Sequence, residues 1–284
     1  MSFESLPSTA SNQAEEFLCI LARSGTGFPA SLRSAVVVAH PDDEAIGAGG
    51  QLSRFENLTV IVVTDGAPRD NFDAHLRGFS DWRAYANERR RELEAAMTLA
   101  GVGREDLLTL NVPDKQAALH LADISHALAS IASDRSLNVI ITHAYEGGHA
   151  DHDATAFAVH AAAALHHRRH SRPLSVVEMP FYHWNAGTFI AQQFCDCGLV
   201  AGIRIELDGS TLEMKRGLLA EYRSQARALT AFDPRLERFR RAPAHDFRYP
   251  PRGSDAGYHR ITPLISSDVW LRLVCEATRA LRLI

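Results

Sequence analysis

Cysteine is scarce in this chain: four residues of 284, Cys19, Cys195, Cys197 and Cys275. They are too few and too scattered for a disulfide framework, and Cys195 and Cys197 lack the second pair that a zinc ribbon needs. All four read as reduced thiols, the state expected in the cytoplasm. An excess of one charge is also missing. Thirty basic residues stand against 34 acidic ones with no long run of either sign, which leaves no basic stripe for nucleic acid. Long apolar runs are absent too. The stretch Phe17 to Ala22 is too short to span a bilayer, and Met1-Ser2-Phe3-Glu4 is not the basic head of an export signal. The expectation is a cytoplasmic protein with no membrane and no nucleic-acid partner, and of undetermined oligomeric state. No internal repeat and no low-complexity linker divides the chain.

The composition that remains, 46% hydrophobic and 23% charged residues, is that of a globular protein rather than a disordered one. A chain of this length folds without a disulfide or a structural metal, so a bound metal would serve function. Residues 13–23 read as a short surface helix, and Ser24 to Ser31 as a breaker-rich connection. After it, Ala35-Val36-Val37-Val38-Ala39 is a β-branched run without alternation, the mark of a strand buried on both faces of a parallel sheet. Leu58 to Thr64 and Val139 to Thr142 repeat the pattern, with Leu107 to Leu110 and Leu174 to Val177 as further strands. Helical stretches intervene at Asp81 to Leu99, Ala117 to Ala132 and Ala154 to His167. This alternation predicts a three-layer α/β/α sandwich around a mostly parallel, Rossmann-like sheet. Residues 1–33 are expected to form an N-terminal helix and connection, and 34–284 a single domain.

Beyond about Gly198 the alternation weakens. Ile203 to Leu207 reads as a strand, Glu213 to Leu229 as a helix, Phe232 to Pro263 as an ordered covering loop, and Val269 to Leu281 as a closing amphipathic helix. The expectation is that 208–284 walls a pocket.

In such a sheet, ligands bind beyond the carboxyl ends of the strands. Three strands deliver polar residues there: His40-Pro41-Asp42-Asp43-Glu44, then Thr64-Asp65-Gly66, then His143 with Glu146-Gly147-Gly148-His149-Ala150-Asp151-His152-Asp153. Imidazole and carboxylate donors suit a zinc ion whose fourth position stays open for chemistry. An Asp-Asp pair after a strand is also a common helix cap, and His149 and His152 alone would pass as surface residues at a helix start. Capping does not call for histidine at both sites, and this joint occurrence favours a metal centre. Gly47-Ala48-Gly49-Gly50 is a poor dinucleotide loop because the preceding turn is acidic and would repel a pyrophosphate; the glycines fit close helix packing. His160, His166, His167 and His170 read as a solvated helix face among arginines. Arg69, Asp70 and the stretch Phe181 to Asn185 with Trp184 follow strand ends, and together with Arg248 and Tyr249 they are the candidates for gripping a substrate.

The run Ala39-His40-Pro41-Asp42-Asp43-Glu44 with its glycines, followed about a hundred residues later by Gly148-His149-Ala150-Asp151-His152, resembles the PIG-L or LmbE-like family of zinc-dependent N-acetylglucosaminyl deacetylases. The similarity runs from about Ser34 to Ala164. Ala150 stands where that family usually has proline. The resemblance implies that His40, Asp43 and His152 coordinate one Zn2+, with Fe2+ or Co2+ as acceptable substitutes. It also implies that Asp42 is the general base. His149 would stabilise the oxyanion or protonate the leaving amine, and Asp151 would orient His149 or a ligand. The activity implied is removal of an N-acetyl group from an amino sugar or glycoconjugate. Cleavage of a larger acyl group is the nearest competitor. More distant are a nucleotide-binding protein without metal and a metal phosphoesterase, which would need a second metal cluster.

Overall fold

The computed structural model describes residues 8–23, 25–195 and 200–283; Met1 to Glu4, Ser24 and Cys197 lie outside them. Strand β1 (Ser34–Val38) is the third strand across a seven-stranded sheet and is buried along its whole length. Its side chains alternate between two cores: Ala35 and Val37 face one, Val36 and Val38 the other. Two apolar faces explain why the sequence shows no alternation.

Around it lie β2 (Leu58–Pro68), β3 (Leu107–Asp114), β4 (Val139–His143), β5 (Ser175–Met179), β8 (Gly202–Glu206) and β9 (Leu236–Arg241), with β6 (Tyr182–Asn185) and β7 (Thr188–Ala191) forming a separate hairpin. The order is β3-β2-β1-β4-β5-β9-β8. The first five strands are parallel, and β9 and β8 close one edge antiparallel. The chain runs outward from β1 to β3 and then returns past β1 to β4. Connections therefore diverge between the carboxyl ends of β1 and β4, and a crevice opens there.

Helices α1 (Ser8–Leu21), α2 (Asp43–Ala48), α4 (Trp82–Leu99) and α7 (Gly209–Glu221) contribute to the core on one face of the sheet, whereas α5 (Leu121–Asp134), α6 (Ala150–His170) and α9 (Ser267–Ala280) fill the other. This is the three-layer α/β/α architecture. Short helices α3 (Phe72–Leu76) and α8 (Ala226–Leu229) lie at the mouth of the crevice. No helix among the described residues is long and apolar enough to cross a membrane.

Some elements depart from the sequence expectation. Residues Leu236–Arg241 form a strand instead of loop. The sequence Leu-Glu-Arg-Phe-Arg-Arg hides this because its charges are paired inside: Glu237 with Lys215, and Arg240 with Glu178. The helix expected over 213–229 breaks at Tyr222 into α7, a 3-10 turn and α8. Helix α6 begins at Ala150 rather than Ala154, because His149 caps it by accepting the Asp151 N–H at Nδ1. The solvated face expected for the α6 histidines holds at His170, which is exposed, but is corrected at His160 and His166, which are buried. Helix α6 is covered by α5 as well as the sheet, and His160 also meets His245 and Phe247 from the segment after β9.

Two inclusions anchor the loop after β1. Lys215 on α7 is almost fully buried and donates to the Ile46 carbonyl and to Glu237 Oε1, both at 2.8 Å. Glu237 also accepts the Gly50 N–H at 2.8 Å and the Gln51 side-chain amide at 2.7 Å. Gly47 meets β5 so closely that a Cβ would lie 2.3 Å from Met179 Sδ, in keeping with a packing role for these glycines.

Candidate metal centre

The chain turns sharply after β1, and this turn sets the site. Asp42 adopts φ 122°, ψ −28°, a conformation that costs a non-glycine residue of order 1–3 kcal/mol and persists only when its surroundings enforce it. Enforcement comes from both sides: Glu44 Oε2 accepts the Asp42 N–H at 3.1 Å, and Arg89 from α4 donates to the Pro41 carbonyl. Although Asp42 precedes α2 in the cap position, its side chain makes no capping bond. The carboxylate turns instead toward Arg89, whose two terminal nitrogens stand 3.3 Å from Oδ2.

Asp43 points elsewhere. Its Oδ2 accepts the His40 N–H at 2.8 Å and converges with two imidazole nitrogens. His40 Nδ1 is 3.2 Å from Asp43 Oδ2 and 3.2 Å from His152 Nε2, and His152 Nε2 is 3.5 Å from Asp43 Oδ2. Ligands at about 2.0–2.1 Å from a tetrahedral zinc ion stand about 3.3 Å apart, so the three atoms fit such an ion. His143, at the end of β4, also approaches Asp43 Oδ2, at 3.5 Å. Its Nε2 lone pair already accepts the Ala39 N–H at 2.9 Å, which leaves that atom committed to the backbone.

The far side of His40 faces two acids. Nε2 lies 3.2 Å from Asp114 Oδ1 and 3.4 Å from Asp151 Oδ2. Carboxylates behind an imidazole fix its orientation and increase its basicity. Burial alone would lower the His40 pKa, but Asp114, Asp151 and Asp43 outweigh it and the net shift is upward. Asp151 is itself pinned, accepting the backbone N–H groups of Lys115 at 2.6 Å and Ala117 at 2.9 Å. It thereby ties the first turn of α6 to the segment after β3.

The remaining groups are poised for proton chemistry. Asp42 is raised to about 7 by burial, with Arg89 opposing and Asp43 adding to the rise. Asp43 is also buried, yet His152, His143 and His40 hold it well below the usual carboxylate range. Two neighbouring aspartates are thus driven apart, one toward a base working near neutrality and the other toward a permanent anion. His149 is lowered to about 4 by burial and by the His40 charge. Since its Nδ1 accepts from the backbone, the neutral ring carries its hydrogen on Nε2.

His40, Asp42, Asp43, His149 and His152 all line one cavity of about 390 Å³. Arg89, Asp114 and Tyr182 line it as well; Tyr182 belongs to the stretch Phe181 to Asn185 expected to grip a substrate, whereas sequence reading singled out neither Arg89 nor Asp114. For Arg89 a signal existed: it falls at helical spacing with Tyr85, Leu93 and Met97, the buried side of α4. Asp114 gave none, standing alone at the end of a weakly patterned strand. Residues from 208–284 do wall the cavity, through Leu229, Phe232, Arg260 and Ile261.

The other sequence candidates lie outside that lining. Arg69 pairs with Asp65 and stacks on Trp82, Asp70 accepts the Phe72 N–H, and Trp184 packs under Arg260. Arg248 pairs with Asp246, and Tyr249 lines a second cavity.

Residues 35–163 match the family model described as PIG-L, GlcNAc-PI de-N-acetylase. No curated protein matches the sequence. Among solved structures, a deacetylase of the teicoplanin biosynthesis pathway superposes with a TM-score of 0.58 at 16% identity, covering 75% of this chain and 99% of that one. The A40926 pseudoaglycone deacetylase Dbv21 gives 0.57 at 17% identity over 75% and 98%. The hydratase GalB from Pseudomonas putida, which acts on 4-carboxy-2-hydroxymuconate, gives 0.51 at 16% over 69% and 81%. At these identities the likeness concerns the fold, and the fold hosts more than one reaction.

Proposed function

With residues 35–163 forming a PIG-L family domain, we propose that the chain is a metal-dependent N-deacetylase. It removes an acetyl group from an amino sugar or a sugar conjugate and releases acetate and a free amine. One observation carries this reading: three donor atoms at tetrahedral spacing, a base and a hydrogen-bond donor line the same cavity at the strand switch point.

His40, Asp43 and His152 hold one divalent ion, zinc by preference, with Fe2+ or Co2+ tolerated by the same donor set. When bound, such an ion supplies Lewis acidity, polarising a carbonyl and lowering the pKa of water. The protein residues do the rest. Asp42 accepts the proton of the attacking water, its carboxylate aimed by Arg89. His149 is neutral at working pH and donates its Nε2–H to the carbonyl oxygen as negative charge develops there, a part that a ring with its pKa near 4 plays better than proton donation to the amine. Asp151 sets His40 and, through its backbone N–H, His149.

A second reading, hydrolysis of a larger acyl group, draws on the apolar side of the cavity formed by Ile46, Leu229, Phe232 and Ile261. The deciding experiment is a screen of N-acetylated and longer N-acylated sugars and conjugates on zinc-loaded protein, with detection of the released carboxylate and primary amine. Release of acetate from N-acetyl sugars supports deacetylation. Release only of longer acids selects the second reading, and no amine from any substrate overturns both.

A further inference from the structure

Outside the cavity just described, three metal-capable side chains from three elements converge in the interior. His160 lies midway along α6, Glu178 is the penultimate residue of β5, and His245 follows β9. One donor atom from each lies within 4.8 Å of the other two. Glu178 Oε1 is 3.5 Å from His160 Nε2 and 2.5 Å from His245 Nε2. Glu178 is fully buried, and both imidazoles are at least nine-tenths buried.

The carboxylate is divided in its loyalties. Its Oε2 takes Arg240, with Nε at 2.9 Å and a terminal nitrogen at 2.8 Å. Its Oε1 is left facing the two imidazoles. His160 Nε2 has only the long 3.5 Å approach of Glu178 Oε1 and no well-formed hydrogen bond, and a buried polar nitrogen so poorly satisfied is costly enough to call for a reason. His245 also lines the second cavity, about 540 Å³, beside Tyr145, Asp246 and Tyr249, so the cluster has a path to solvent.

We propose that His160, Glu178 and His245 form a second divalent-metal site, separate from the catalytic one and independent of the reaction assigned above. Two imidazoles and one carboxylate oxygen select a transition cation such as Zn2+, Co2+ or Ni2+ over Mg2+ or Ca2+, which prefer all-oxygen surroundings. The 2.5 Å contact between His245 and Glu178 holds a hydrogen bond. An ion takes the place of its proton, which passes to Nδ1 or to solvent, and the two donor atoms move apart to ligand spacing. His160 and Glu178 are fixed by helix and strand, whereas His245 lies on a segment without regular structure and makes that adjustment. The Arg240 charge opposes a cation, so the site binds more weakly than the His40, Asp43 and His152 set. The bound ion staples α6, which is capped by His149 and carries His152 in its first turn, to the sheet.

The test is metal counting on the full chain. Protein stripped by chelator is equilibrated with excess Co2+ or Zn2+, freed of unbound ion by gel filtration, and analysed for metal. The expected result is two equivalents for the wild type and one each for His160→Gln, His245→Gln and His152→Ala. The combined His160→Gln/His152→Ala variant is expected to bind none. Far-UV circular dichroism confirms that each variant is folded. Glu178 is left unchanged because Arg240 depends on it. One equivalent in the wild type with none in His152→Ala overturns the proposal. So does a full two equivalents in both His160→Gln and His245→Gln.

Discussion

Both terminal nitrogens of Arg89 stand 3.3 Å from the same Asp42 oxygen, and neither side chain is more than a tenth exposed. An ion pair this deep is stabilised by its geometry or not at all, and here it accompanies the strained backbone of Asp42. The proposed base and its positioning group are thus coupled, and the first two predictions follow from that coupling.

Asp42→Asn removes the base and keeps the shape. It is expected to retain metal and to lose about 100-fold or more in kcat, the usual contribution of a general base. Elemental analysis beside steady-state kinetics checks both halves. Near-normal turnover would show that another group takes the proton.

Arg89 lowers the Asp42 pKa, which burial has raised to about 7. As the proposed base, Asp42 would work only when ionised, so kcat/KM is expected to fall as pH drops through this value, with a cation bound beside Asp43 moving that limb downward. Arg89→Met removes the lowering charge and is expected to shift the acid limb to higher pH relative to wild type. An unmoved limb in the pH–rate profile would sink the coupling.

His40→Ala and His152→Ala are each expected to weaken metal binding and activity together, because each removes one corner of the donor triangle. His143→Ala is expected to affect metal far less, since its Nε2 is occupied by the Ala39 N–H. Competition titrations with a chromogenic chelator rank the three variants. Equal losses from all three would place His143 among the ligands.

The first turn of the site was plain in the sequence and its supports were not. His40, Asp42, Asp43, His149 and His152 follow buried β-branched strands, and polar residues at such ends are conspicuous against their surroundings. Arg89 sits in a run of three arginines on a largely solvated helix, where only position relative to Tyr85 and Leu93 distinguishes the buried one. Strand β9 reads as a charged loop because burial of Glu237 and Arg240 depends on partners about 20 and 60 residues away in sequence. His160 misled for the same reason. A one-dimensional pattern registers the polarity of a side chain but not the element that later covers it.

Lys215 supports the active turn from beneath. Lys215→Met leaves Glu237 buried with its charge unmatched and is expected to cost about 3–5 kcal/mol of stability. Glu237→Gln added to it is expected to recover part of that loss, since the amide keeps an acceptor for the Gly50 N–H. Urea denaturation of the wild type, the single variant and the double variant measures the difference. Equal stability of the single variant and wild type would leave the ion pair without energetic weight.

The wall of the cavity is expected to set substrate choice. Phe232→Ala and Ile261→Ala should change kcat/KM unequally across acyl lengths and sugar sizes, with metal content intact. Arg248→Ala and Tyr249→Ala, which do not line the cavity, should change it little. Uniform effects across substrates would assign Phe232 and Ile261 to packing alone.

The sheet order also bears on how the chain reaches its native state. His40 and His152 stand 112 positions apart, yet their ring nitrogens meet at 3.2 Å because β4 lies directly beside β1. Two of the three donors are present as soon as the first strand and its turn exist. The third arrives only after β2, β3 and their helices have been laid down and the chain has returned. A metal ion seated here therefore acts as a tether across a long loop, and its hold should be gained late in folding and lost early in unfolding. Chelation would then speed unfolding more than it slows refolding.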